Sequence, residues 1–181
     1  MQIMIRITGG KNRSRKLLTP ENGLTKPTMD KVRAAVFNAL NEDIKDKKIL
    51  DLFSGSGSYG FEALSRDAKE VTFVEKEKEA VNTIKENAKA LKEENFKIVQ
   101  SDVIDYLNKC SEKFDIVFVD PPYKLDVYDA VVDTLESKSL LNENAIIVLE
   151  SEKPLNIKED KYKKNKLYNY GLAKIYMLRK W

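Results

Sequence analysis

Ile49-Leu50-Asp51-Leu52-Phe53-Ser54-Gly55-Ser56-Gly57-Ser58-Tyr59-Gly60 is the stretch from which the fold can be read. Its first five residues are apolar except Asp51, the composition of a short buried strand. Gly55, Gly57 and Gly60 then match Gly-x-Gly-x-x-Gly. Glycines at this spacing permit a tight turn and a close approach of backbone to a ligand. An apolar helix is expected from about Gly57 to Arg66. Strand, glycine turn and helix in that order open a doubly wound sheet.

The same rhythm continues outward. Val71 to Glu75 reads as the next strand. Its helix runs from about Lys78 to Leu91, with Ala80, Val81, Ile84, Ala88 and Leu91 on one face. Phe96 to Gln100 is a third strand, and Val103 to Leu107 starts a short helix. Phe114 to Val119 is a nearly all-apolar fourth strand, as a central parallel strand should be. A helix from about Val127 to Leu135 and a fifth strand from Ala145 to Leu149 follow. Leu167 to Tyr170 and Lys174 to Leu178 flank Gly171 and read as a hairpin. Upstream, Lys26-Pro27-Thr28 announces a helix, with Thr28 as N-cap and Asp30 in its first turn. Val32, Ala35, Val36, Ala39 and Leu40 form its apolar face, and it ends near Asn41. Ile5-Arg6-Ile7 and Lys16-Leu17-Leu18, on either side of a glycine turn, predict a small basic β-hairpin or extended arm. The expected fold class is therefore α/β, with a doubly wound, Rossmann-like, mostly parallel sheet and an antiparallel C-terminal hairpin. Two units are expected: a basic arm over residues 1–25 and the sheet domain over 26–181.

Composition narrows the chemistry. The 181 residues are 42% hydrophobic and 34% charged, as in a soluble globular chain. No stretch is apolar enough to span a membrane, and the N-terminus does not read as a signal peptide. With one cysteine, Cys110, no internal disulfide can form, and a cytoplasmic setting is expected. The sequence has no histidine, so imidazole base catalysis, the Ser-His-Asp triad and most zinc sites are excluded. No metal is expected. Net charge is +3, but unevenly spread. Residues 1–33 carry eight Lys/Arg and two Asp/Glu, and residues 161–181 carry seven Lys/Arg and no acid. A polyanion would be held by the ends.

Acids surround the glycine turn. Glu75 stands twenty-four residues after Asp51, where a carboxylate can accept hydrogen bonds from two ribose hydroxyls. Asp51 faces the turn itself and would repel a pyrophosphate. It suits a cationic ligand such as the amino and sulfonium groups of S-adenosylmethionine. Asp102, closing the third strand, is in position to meet an adenine amino group.

The fourth strand ends in Phe118-Val119-Asp120-Pro121-Pro122-Tyr123. Each proline fixes its own φ and holds the preceding residue extended, so this is a stiff ledge. An Asp/Asn-Pro-Pro-aromatic string arises by chance in fewer than about one in a hundred chains of this length. An exocyclic amine on a nucleobase is a poor nucleophile, because its lone pair is delocalised into the ring. Acceptors on its two N–H hydrogens draw the nitrogen toward tetrahedral geometry. The Asp120 carboxylate and the Pro121 carbonyl can be those acceptors, with Pro122 stiffening the ledge and Tyr123 stacking on the base.

At these residues the chain resembles a known family. Asp120-Pro121-Pro122-Tyr123 looks like the D/N-P-P-Y motif of S-adenosylmethionine-dependent amino methyltransferases. RITGGKNRSRKLLTP, KPTMDKVRAAVFNAL, DLFSGSGSYGFEALSRDA and FVEKEKEAVNTIKENAKAL together resemble the bacterial RsmD-type 16S rRNA guanine-N2 methyltransferases. The resemblance covers Ile5 to about Arg179. It implies a class I methyltransferase sheet and methyl transfer from S-adenosyl-L-methionine to N2 of a guanine in 16S rRNA. Its substrate would be the small ribosomal subunit or an assembly intermediate, and the enzyme a monomer. It implies cofactor contacts from Thr28, Asp51, Phe53, Gly55, Gly57, Glu75, Asp102 and Val103. Asp120 to Tyr123 would hold the base, and Arg6, Lys11, Arg13, Arg15 and Lys16 would lie on RNA. Three positions depart from the family's usual residues: Lys26 replaces an arginine, Ala35 a glutamate and Asp67 a glycine.

Other readings compete. The ledge also fits a DNA adenine or cytosine amino methyltransferase, but those generally need a further target-recognition module. A protein glutamine methyltransferase usually carries an Asn-Pro-Pro-Tyr form and a helical N-terminal domain. An NAD-type nucleotide-binding protein leaves Asp51 and the ledge unexplained.

Overall fold

The computed structural model describes residues 4–20, 28–122, 125–158 and 161–181. The sequence readings of Lys26, Pro27 and Tyr123 fall outside those residues, as does the 25/26 boundary. Of Thr28 only the backbone is described.

A seven-stranded sheet carries the site. In chain order its strands are β3 (Lys48–Leu52), β4 (Glu70–Glu75), β5 (Phe96–Gln100), β6 (Phe114–Val119), β7 (Leu141–Ser151), β8 (Lys164–Tyr170) and β9 (Ala173–Arg179). They lie in the order β5-β4-β3-β6-β7-β9-β8. The first five are parallel, while β9 runs antiparallel to both β7 and β8. The expected C-terminal hairpin is present, with its second strand as the one that joins the sheet. Ile175, Met177 and Leu178 are apolar and buried, which suits β9 to an interior position. Lys-rich β8 is left at the edge, where charge discourages further strand pairing.

Helices cover both faces. α1 (Thr28–Leu40), α2 (Ser58–Ser65) and α3 (Lys78–Leu91) pack on one side, with Phe37, Phe61, Phe73 and Phe118 in a common cluster. α4 (Val103–Lys109) and α5 (Tyr128–Ser137) pack on the other, around Leu107, Val131, Leu135 and Val117. All five helices and the parallel strands match the sequence reading to within a few residues. Two details differ. The buried stripe of α1 is Val32, Arg33, Val36, Phe37 and Leu40, whereas Ala39 is exposed. Arg33 displaces the expected alanines because an acid on α2 neutralises it. β7 begins at Leu141, four residues before the expected start. Its register with β6 shifts between Phe114 and Ile116, and Asn144 takes φ 58° at that irregularity.

The N-terminal hairpin pairs β1 (Ile5–Arg6) with β2 (Lys16–Leu17) and lies flat on the first face. Ile5, Ile7 and Leu17 are buried in the same cluster as Phe37 and Phe61. Burying each such side chain contributes about 2 kcal/mol, so the hairpin is part of the core. Among the described residues no helix is long and apolar enough to cross a membrane.

Candidate active site

Side chains alternate faces along a strand. Ile49, Val71, Phe73, Ile116, Phe118, Ile146 and Val148 all point toward α1, α2 and α3. Two residues further on from a member of this set, Asp51, Glu75, Asp120 and Glu150 leave the sheet on that same face. Four acids from four adjacent parallel strands thus converge at the carboxyl ends, where open α/β sheets bind ligands.

Asp51 is the most deeply placed, at 2% exposure. Its Oδ2 accepts the Gly60 N–H of α2 at 3.0 Å. Burial pushes its carboxyl up to about 8, with the Glu75 charge adding to the effect and the Gly60 hydrogen bond opposing it. The carboxylate therefore has an unmet demand for positive charge.

Glu75 is organised by backbone. Its Oε2 accepts the Gly55 N–H at 2.8 Å, and its Oε1 accepts the N–H groups of Lys76 and Glu77 at 2.7 and 2.9 Å. The glycine turn is thereby tied to the end of β4. The turn is left-handed at Phe53, Gly55 and Gly57, with φ of 57°, 55° and 78°. For Phe53 that conformation costs about 1–3 kcal/mol, a strain typical of ligand-gripping turns. A Cβ on Gly55 would meet nothing within 4 Å, so open space lies beside the turn.

Asp102 is the N-cap of α4, its Oδ1 accepting the Ile104 N–H at 2.9 Å. The expected adenine acceptor thus already has a local structural role through one oxygen. Val103, next to it, is buried.

At the ledge, Asp120 is half-buried, Pro121 buried and Pro122 exposed. The Pro122 carbonyl accepts the Leu125 N–H at 2.9 Å. Burial raises the proton affinity of Asp120 well above the ordinary carboxylate range, and the charges of Glu150 and Asp51 raise it further. Asp120 accepts no hydrogen bond from a described residue.

Several residues at this site were absent from the sequence reading. Tyr59 stacks on Phe118 with ring centroids 4.8 Å apart and donates its hydroxyl to Glu150 Oε2 at 2.6 Å. Tyr128 donates to the Glu150 carbonyl at 2.7 Å. Glu150 had a legible signal, since it closes the apolar run Ala145 to Leu149 as Asp120 closes Phe114 to Val119. Arg33 and Glu62 had none. Glu62 is fully buried and accepts from Thr8 N and Oγ1, Gly9 N, Arg33 Nε and Arg66 Nε at 2.7 to 3.3 Å. Arg33 also donates to the Arg6 carbonyl and to Asp30.

The five basic residues of the hairpin are all exposed. Lys11 pairs with Glu93 at 3.0 Å, and Arg15 donates to the Ala90 carbonyl at 2.6 Å. Arg6, Arg13 and Lys16 meet no carboxylate through their side chains among the described residues. No group of three or more Cys, Asp or Glu suited to a metal ion occurs among the described residues.

The chain is similar to known proteins over nearly its whole length. A family described as "Conserved hypothetical protein 95" matches residues 5–179. The chain is 38% identical over 148 residues to an Escherichia coli protein named ribosomal RNA small subunit methyltransferase D, covering 82% of this chain and 75% of that one. The solved structure of Escherichia coli yhhF superposes with a TM-score of 0.87 at 34% identity, over 98% of each chain. The fold also matches the Thermus thermophilus 16S rRNA N2 G1207 methyltransferase, solved with AdoMet and guanosine. That match has a TM-score of 0.77 at 21% identity and covers all of this chain and 50% of the other.

Proposed function

The chain belongs to the family described as "Conserved hypothetical protein 95", the RsmD family, and on that premise we propose that it methylates the exocyclic N2 of a guanine in 16S rRNA, using S-adenosyl-L-methionine. It is an rRNA methyltransferase, acting in the cytoplasm as a monomer on the small subunit or an assembly intermediate. The observation that carries this reading is the position of Asp120 at the end of β6, directly before Pro121 and on the same sheet face as Asp51 and Glu75.

The residues fit the cofactor. Asp51 offers a buried carboxylate that lacks a cation. Glu75 keeps acceptor capacity beside a glycine turn with open space next to it. Thr28, Phe53, Gly55, Gly57, Asp102 and Val103 border the same space in this reading. When bound, S-adenosylmethionine supplies a methyl group on a sulfonium sulfur.

Asp120 and the Pro121 carbonyl take the two N2 hydrogens of the guanine, and Tyr123 stacks on its ring. With both hydrogens held by Asp120 and the Pro121 carbonyl, the N2 lone pair would be left free for the methyl carbon that S-adenosylmethionine would supply, the new N–C bond forming as the C–S bond breaks and its electron pair stays on sulfur. One proton leaves N2, and Asp120, with its raised proton affinity, stands nearest to accept it. Positioning supplies most of the acceleration in such a transfer. The basic arm over residues 1–25, which includes the β1–β2 hairpin, presents Arg6, Lys11, Arg13, Arg15 and Lys16 to phosphates.

The test is methyl transfer from labelled S-adenosylmethionine to undermethylated small subunits, naked 16S rRNA and duplex DNA in parallel, followed by nucleoside mass analysis. N2-methylguanosine from the subunits is the expected product. Methylated adenine or cytosine in DNA, or no product from any substrate, would overturn the substrate assignment.

A further inference from the structure

Glu150 enters the site from β7, one residue beyond the Val119–Leu149 pair, and so stands beside Asp120 on the neighbouring strand. Adjacent strands are about 4.8 Å apart. Both acids leave the sheet on the same face, two residues after Phe118 and Val148.

Glu150 is clamped. Tyr59 donates to Oε2 at 2.6 Å, and Tyr128 donates to the backbone carbonyl at 2.7 Å. Tyr59 is in turn fixed between Phe118 and Phe37, with centroids 4.8 and 6.1 Å away. Oε1 accepts no hydrogen bond from a described residue, yet Glu150 is only 8% exposed. Unlike Glu70 Oε1 and Thr72 Oγ1, this oxygen is not sealed from solvent, so it is a free acceptor that the N–H of an incoming ligand can reach.

A guanine held by its N2 amine brings such a donor. Its N1–H lies next to N2 on the same edge and points the same way. Adenine carries a bare lone pair at N1. We propose that Glu150 Oε1 accepts the N1–H of the target guanine and is the residue that selects guanine over bases with an unprotonated N1. The proposal rests on the guanine-N2 reading. It assigns the three donors of one base edge to three acceptors: Asp120, the Pro121 carbonyl and Glu150.

The test compares wild type with Glu150→Gln on small subunits reconstituted with guanine or 2-aminopurine at the modified position. 2-Aminopurine keeps the exocyclic amine but has an unprotonated N1. The glutamine can still accept from Tyr59 while its amide N–H donates where Oε1 accepted. Wild type is expected to prefer guanine by about 30-fold or more in kcat/KM, the scale of a well-made base contact. Glu150→Gln is expected to lose about 10- to 100-fold on guanine and to narrow or reverse the preference. S-Adenosylhomocysteine affinity and Tm should be unchanged. An unchanged preference overturns the proposal, whether the variant is fully active or has lost activity together with Tm as a mere strand buttress would. Wild type that leaves guanine unmethylated defeats the guanine reading itself, and this proposal with it.

Discussion

Asp51 shows how one residue couples stability to ligand binding. Burial pushes its carboxyl up to about 8 from an ordinary value of 3.8. The folded chain therefore holds a proton that the unfolded chain releases, and this group's contribution to stability falls as pH rises from about 4 toward 8. A cation at the site reverses the preference, because it stabilises the ionised form. S-Adenosylhomocysteine, through its amino group, and S-adenosylmethionine should bind more tightly as pH rises from 6 and level off above about 8, as followed by calorimetry with proton release. Asp51→Asn should raise Tm at neutral pH, since a neutral amide can still accept from Gly60, while flattening that pH dependence. Asp120 makes a different prediction. Asp120→Ala should abolish transfer and leave S-adenosylhomocysteine affinity within a few-fold; full activity in that variant would remove the ledge from the mechanism. Asp67 illustrates a family departure in physical terms. It adopts φ 65°, the left-handed region that glycine enters at least cost, at the position where the family usually has glycine.

Among the elements, the N-terminal hairpin is the one whose role changed most between sequence and structure. Its basic residues read as an arm, yet buried Glu62 on α2 ties it down through Thr8 and Gly9, with Arg33 completing the network. Removing one partner of a buried pair leaves the other charge uncompensated, which costs about 3–5 kcal/mol. Glu62→Ala should show a loss of that size in urea unfolding, with the midpoint shifting at nearly constant m-value. Gly10 gives a second handle. A Cβ there would lie 1.7 Å from the Ser65 carbonyl oxygen, and its φ is 74°. Gly10→Ala should detach the hairpin, weaken RNA binding and leave cofactor binding in place; unaltered RNA affinity would separate the hairpin from the substrate. α3 and β6 were fully legible, because an amphipathic stripe and an apolar run are local signals. The α1 face was misread by the inclusion of Ala35 and Ala39. What allows Arg33 to be buried is Glu62, an acid twenty-nine residues away.

On the scale of the whole molecule, charge is separated from chemistry. The acids converge at the carboxyl ends of the parallel strands, while the excess of Lys and Arg lies in the two terminal hairpins. Association with RNA should therefore weaken linearly with log salt concentration, and removing Arg13 or Lys16 should reduce the slope by about 0.7–0.9 each. Binding titrations across a salt series would measure this. An unchanged slope would move the contact to the Lys-rich β8 and β9 hairpin. The alternation of strands and helices and the glycine turn were enough to determine a doubly wound sheet, and the ledge and the absence of histidine led to the proposal of an amine-directed transfer reaction. These are properties of short windows, where residue type and spacing act directly on the backbone. Only the tertiary structure decided that β9 lies between β7 and β8, that the basic arm is part of the core, and that Glu150 stands beside Asp120. Each of these depends on burial shared between segments far apart in the chain, and no local pattern encodes which distant partner will neutralise a charge or complete a hydrogen bond.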